Sequence, residues 1–100
     1  MIQYADMNTY ELTILFPESK EGSEVKETVV KMIEGYVAKH KGEINKQENW
    51  GSKHLAYMIR KNTTAEYIHF VLTLEPADQV MLEKSLKLNE TILRYMFVRV

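Results

Sequence analysis

Lys61-Asn62-Thr63-Thr64-Ala65-Glu66-Tyr67-Ile68-His69-Phe70-Val71-Leu72-Thr73-Leu74-Glu75-Pro76 is the stretch whose reading decides the fold. From Tyr67 it alternates: Ile68, Phe70, Leu72 and Leu74 fall on one side, and Tyr67, His69, Val71 and Thr73 on the other. That period of two marks a strand with one face against a core. Lys61 to Ala65 is polar and short, which fits a hairpin loop. Upstream of the loop, Ile44 to Ile59 reads as one long strand whose apolar parity changes from even (Ile44, Trp50) to odd (Leu55, Tyr57, Ile59). A bulge at Gly51-Ser52 would absorb that slip. Two strands therefore meet with no helix between them.

Helices flank this pair. Before it, Val25, Val29, Met32/Ile33 and Tyr36/Val37 recur at helical spacing. Ser23 is the expected N-cap, Glu24 and Glu27 lie at the positive end, Lys39, His40 and Lys41 lie at the negative end, and Gly42 is the left-handed cap. After it, Pro76 suits a first helical position, and Val80, Met81, Leu82, Leu86 and Leu88 mark a second helix ending near Asn89. Outermost are two more strands: Tyr10-Glu11-Leu12-Thr13-Ile14-Leu15-Phe16, stopped by Pro17, and Ile92 to Val100. The order β-α-β-β-α-β is that of an α+β, ferredoxin-like split βαβ domain, a four-stranded antiparallel sheet with both helices on one face.

The other sheet face stays open. Glu11, Thr13, Leu15, Tyr67, His69, Val71 and Thr73 are expected on it. The last strand adds Arg94, Met96 and Val98, with Tyr95 and Phe97 toward the helices. Leu15, Tyr67, Val71, Met96 and Val98 make this face more apolar than solvent favours, which suggests a partner chain or a second copy over it.

Composition narrows the chemistry. One hundred residues, 45% hydrophobic and 27% charged, fit a single domain over residues 10–100, with Met1–Thr9 an N-terminal extension that need not be ordered. The absence of cysteine excludes disulfides, thiolate metal sites and a thiol nucleophile. No apolar run reaches membrane-spanning length and the first residues do not resemble a signal peptide, so a cytoplasmic location is expected. There is no phosphate-binding glycine loop, nucleophile elbow or histidine pair at metal spacing, so no catalytic residue, cofactor or small-molecule substrate is expected. His54 and His69 would be the bases of an enzyme, if there were one.

The net charge of -1 argues against a nucleic-acid binder only on average. Residues 1–50 hold six Lys against nine acids, and residues 51–100 seven Lys+Arg against five. No acid lies between Glu48 and Glu66, and that gap holds Lys53, His54, Arg60 and Lys61 beside Trp50 and Tyr57. Cations near aromatic rings are what phosphate contact and base stacking need. The third strand offers too few exposed rings for reading single-stranded bases, so phosphate contact by loops and edges is the expected mode.

Trp50-Gly51-Ser52-Lys53-His54-Leu55-Ala56-Tyr57-Met58-Ile59-Arg60-Lys61 resembles the W-G-x-[K/R]-x-L-A-Y-x-I-x-K signature of the family of the sixth protein of the bacterial small ribosomal subunit. Leu82-Glu83-Lys84-Ser85-Leu86-Lys87-Leu88-Asn89-Glu90-Thr91-Ile92-Leu93-Arg94-Tyr95 is similar to that family's second helix and its entry into the last strand. The likeness runs from about Thr9 to Arg99. It departs at Met58, where the family usually has Pro, and at Ala65, where it usually has Gly. The resemblance implies a non-enzymatic constituent of the small ribosomal subunit. Such a protein binds the central domain of small-subunit ribosomal RNA, as a heterodimer with the eighteenth small-subunit protein. Lys53, His54, Arg60, Lys61 and Arg94 are the implied RNA-binding residues. Leu15, Trp50, Tyr67, Val71, Met96 and Val98 are the expected protein-partner face. A dimeric ferredoxin-like enzyme, or a small-ligand regulatory module using the open face, are the alternatives.

Overall fold

Six elements carry the chain in the expected order in a computed structural model that describes residues 7–100. They are β1 (Asn8–Phe16), α1 (Lys20–Lys39), β2 (Glu43–Ile59), β3 (Asn62–Leu74), α2 (Pro76–Leu88) and β4 (Arg94–Arg99). The sheet order is β2-β3-β1-β4, antiparallel throughout. Even-numbered Tyr10, Leu12, Ile14 and Phe16 of β1 and Ile68, Phe70, Leu72 and Leu74 of β3 face Val29, Ile33 and Val37 of α1 and Leu82 and Leu86 of α2. One core between the sheet and both helices results. Each fully buried Leu, Ile or Phe in it contributes about 1.5–3 kcal/mol relative to exposure.

Several boundaries move from the sequence expectation. β1 begins at Asn8, because Asn8 and Thr9 pair with Leu74 and Thr73. The expected extension therefore shortens, and residues 1–6 lie outside the described residues. The N-cap of α1 is Ser19 rather than Ser23: its hydroxyl accepts the Gly22 N–H at 3.0 Å. Ser23 N–H then donates to Ser19 O at 2.9 Å, the first bond of the helix. At the other end the left-handed residue is Lys41 (φ 58°), not Gly42. Lys41 N–H donates to Ala38 O at 3.3 Å and Gly42 N–H to Val37 O at 2.8 Å, the paired bonds of a Schellman ending. Gly42 is needed for space instead, since a Cβ there would sit 2.5 Å from Thr73 O and 2.6 Å from Leu74 Cδ2.

The hairpin also tightens. Ile59 pairs with Asn62, so the loop is Arg60-Lys61 alone, and the segment expected as loop from Lys61 to Ala65 is mostly strand. Both loop residues are left-handed (φ 47° and 68°), as a two-residue hairpin turn matched to strand twist requires. Asn62 Nδ2 donates to Ile59 O at 3.2 Å and Arg60 O at 3.0 Å, which satisfies carbonyls at the turn.

β2 slips more often than expected. A first irregularity lies between Ile44 and Lys46, and a second between Asn49 and Gly51 leaves Trp50 as the extra residue, with Gly51 at φ 77°. Because of the first slip, Ile44 packs toward the helices while Trp50, of the same parity, lies on the open face. β2 and β3 run past the end of β1, whose last partner on β3 is Glu66, and the molecule extends 47 Å along its longest axis.

Candidate functional site

Cross-strand register sets the rows of the open face. Lys46, Val71, Glu11 and Val98 form one row, Glu48, His69, Thr13 and Met96 the next, and Gly51, Tyr67, Leu15 and Arg94 the third. Met96 and Val98 are more than half exposed, Trp50 is 42% exposed, and Tyr67 and Val71 are partly buried. Leu15 departs from its expected place in a partner face. It lies on this side of the sheet but is buried, packed with Ala65 and Leu93 under Leu55, Ile59 and Tyr67 of the overhanging hairpin. Ala65 itself is fully buried there, so its methyl fills space that glycine would leave empty.

The five expected RNA contacts separate into groups. Arg60 and Arg94 come together: the hairpin tip, the last turn of α2 and the start of β4 border one groove of about 420 Å³, with Lys87 as a third cation and Tyr95 in its wall. An Arg60 guanidinium N–H donates to Glu90 O, which holds the tip against the loop before β4. Lys61, the other tip residue, is exposed and does not line this groove. Lys53 stands elsewhere on the open face, its Nζ 5.5 Å from the Trp50 ring centroid and 5.9 Å from that of Tyr67. His54, its neighbour along β2, points the other way, toward Glu18. The Glu18 carboxyl is held below the usual carboxylate range by hydrogen bonds from Ser52 and Thr64, against the effect of burial and with the help of His54. Ser52 Oγ donates to Glu18 Oε1 at 2.6 Å.

Beside that contact, Glu66 receives Lys26 Nζ and Asn49 Nδ2, each at 3.0 Å. Burial opposes its ionisation, but Asn49 and Lys26 outweigh burial and hold the carboxyl below its ordinary value. These bonds tie α1 and the β1–α1 turn to the base of the hairpin, so the tip is presented at a set angle.

Lys87 escaped the sequence reading because a lysine in a last helical turn is already explained by the helix dipole. Only the return of β4 beside the hairpin shows what it borders. Glu11 lies across the sheet from His69, its Oε1 3.8 Å from Nε2. Among the described residues, no helix is long and apolar enough to cross a membrane, and no group of three or more His, Asp or Glu side chains could hold a metal ion.

The sequence profile of the family described as "Ribosomal protein S6" matches residues 9–99. The chain is 36% identical over 87 residues to small ribosomal subunit protein bS6 of Acidiphilium cryptum, covering 87% of this chain and 55% of that one. It is 37% identical over 94 residues to the protein of that name from Pelagibacter ubique, covering 94% and 77%. The chain thus spans between about half and three quarters of the length of these relatives. Among solved structures, 30S ribosomal protein S6 of Thermotoga maritima superposes with a TM-score of 0.80 at 24% identity, over 94% of this chain and 88% of that one. The P2 domain of a chemotaxis kinase from the same organism gives 0.57 at 14% identity, over 94% and 99%. The fold alone is therefore shared across unrelated roles, whereas the profile and the identities are specific: the chain belongs to the ribosomal protein S6 family.

Proposed function

We propose that this chain is a structural, non-enzymatic constituent of the bacterial small ribosomal subunit, where it binds the central domain of the ribosomal RNA together with the eighteenth small-subunit protein. The observation that carries the RNA reading is the groove in which Arg60, Lys87 and Arg94 converge from three elements. Three cations on one concave surface suit a run of backbone phosphates, and arginine's planar fork matches phosphate geometry. Lys61 extends the same charge along the hairpin tip. Lys53, with its ammonium over Trp50 and Tyr67, lies on the face that the protein partner covers and so supports RNA contact less than the groove does. His54 is turned toward Glu18 and contributes least to this reading.

The protein partner covers the open face around Trp50, Tyr67, Val71, Met96 and Val98. Exposed Met and Val beside a half-exposed Trp are the residue types that anchor interfaces. With a net charge of -1, the chain supplies little long-range attraction for RNA, so a basic partner provides the remainder. His69 is only 6% exposed and lies beneath Trp50, which counts against a general base working from an open pocket on this face. Measuring rRNA-fragment binding with and without the partner tests the proposal. Weak binding alone and tight binding of the pair, both falling with salt, are expected. Tight, partner-independent binding would refute the division of labour.

A further inference from the structure

His69 is a buried titratable side chain to which RNA and partner binding assign no task. Its ring lies under the Trp50 indole, centroids 4.4 Å apart and planes within 13°. Its Nδ1 is 2.9 Å from Thr13 Oγ1, and Thr13 is itself buried. Its Nε2 faces Glu11 Oε1 at 3.8 Å, too far for a formed hydrogen bond but within reach, because the Glu11 side chain is half exposed and free to move.

A neutral imidazole satisfies Nδ1 by accepting the Thr13 hydroxyl proton and leaves Nε2–H directed toward Glu11. Protonation makes both nitrogens donors. The hydroxyl can accept as readily as it donates, so Nδ1–H keeps its partner. Nε2–H gains a carboxylate as counter-ion, and the indole face gains a cation stacked on it. A charge at this depth would ordinarily be expensive, but here each requirement of the charged form has a group in place. The surrounding charges divide: the carboxylates of Glu11 and Glu48 favour the cation, and the ammonium of Lys53, beside the same indole, opposes it. β1 presents Glu11; β2 presents Glu48, which accepts Trp50 Nε1–H at 3.2 Å and pairs with Lys46 at 3.5 Å, and also Lys53; β3 presents Tyr67; β4 presents Met96 in the same row and Arg94 in the next.

We propose that Trp50 and His69 form a proton-operated cover on the open face: uptake of one proton by His69 draws Glu11 onto the ring and clamps Trp50 over it. Glu11 lies between Val71 and Val98, so the clamp withdraws an exposed carboxylate from the middle of the apolar surface. The switch belongs to the chain by itself and does not depend on the ribosomal reading.

Trp50 is the single tryptophan of the chain, so its emission reports on the stacked ring directly. Emission of the full chain is followed from pH 8 to pH 5, with circular dichroism confirming that it stays folded. A one-proton loss of emission is expected. His69→Gln abolishes the transition, Glu11→Gln moves it to lower pH, and His40→Gln, at the far end of α1 against Tyr36 and Asp78, leaves it in place. Emission that is flat over this range, or an unchanged transition in His69→Gln, overturns the proposal. Should His69→Gln not fold, the His69 ring proton shifts of the natural chain, followed by NMR, must change with the same midpoint as the emission; a ring that does not titrate with it overturns the proposal equally.

Discussion

Replacing Arg60, Lys87 and Arg94 together by Gln removes the three positive charges of the groove, whose lining also holds Glu90, while keeping polar side chains there. These residues come from the hairpin tip, the end of α2 and the first residue of β4, so only the assembled fold makes them one surface. Each neutralised phosphate contributes about 0.7 to the log–log salt slope for single-stranded RNA and about 0.9 for a duplex. Three contacts therefore contribute roughly 2.1–2.7. Between 50 and 200 mM salt, a fourfold step, the natural chain should lose about 20–40-fold more affinity than the variant. The assay is fluorescence anisotropy with an rRNA fragment and the protein partner present, at four salt concentrations. A control carrying Lys20, Lys31 and Lys39→Gln on α1 removes the same net charge away from the groove and should keep its slope. Arg60 also holds the Glu90 carbonyl, an exposed contact whose loss costs about 1 kcal/mol or less, so thermal unfolding of the variant is measured alongside. An unchanged slope in the groove variant, or an equal loss in the control, would refute the reasoning, since bulk charge would then be doing what the groove is said to do.

Gly42→Ala should destabilise by about 1–3 kcal/mol, because the new methyl meets a backbone carbonyl that cannot yield; thermal melting checks it, at roughly 4–8 °C per kcal/mol for a chain of this size. Lys61→Gly should stabilise by about 0.5–1 kcal/mol, by relieving a left-handed lysine at the tip, and the denaturant midpoint would rise with m unchanged. Glu66 has its carboxyl held low in the folded state, so its contribution is present above the ordinary carboxylate range and is lost as pH falls through the lowered folded value. Urea unfolding between pH 6 and pH 2 should therefore show a smaller acid loss in Glu66→Gln; an identical pH profile in the variant would remove Glu66 from the account.

Where sequence reading succeeded, the controlling interactions were local. Alternation in Tyr10–Phe16 and Tyr67–Leu74 fixed which side faces the helices, and Pro76 marked the start of α2. Where it failed, short-range hydrogen bonds and contacts that hydrophobic periodicity does not register decided. Ser19 competed with Ser23 for the N-cap, and Gly22 lies tight against Pro17 in the turn that Ser19 closes. The hairpin loop shrank to Arg60-Lys61 because Asn62 bonds back across the turn, despite a polar run that looked like loop to Ala65. The slip at Asn45 was hidden because one intervening polar residue does not disturb the count of parity between Ile44 and Trp50.

The sequence by itself determined the order of elements, the helix-facing half of the sheet and, through the stretch Trp50–Lys61, the family. Periodicity and specific spacing are one-dimensional properties, so these conclusions need no coordinates. Tertiary structure alone decided which cations share a surface, because Arg60, Lys87 and Arg94 converge only when β4 returns beside the hairpin. It also decided that Leu15 is covered, because the hairpin overhangs the sheet end and folds Leu55 and Ile59 onto it. His69 gained its surroundings in the same way: Thr13 and Glu11 reach it across a strand pairing of more than fifty residues' separation, and Trp50 reaches it through a bulge. Register, bulges and chain return set such contacts, and none of the three is written in the local pattern of hydrophobic and polar residues.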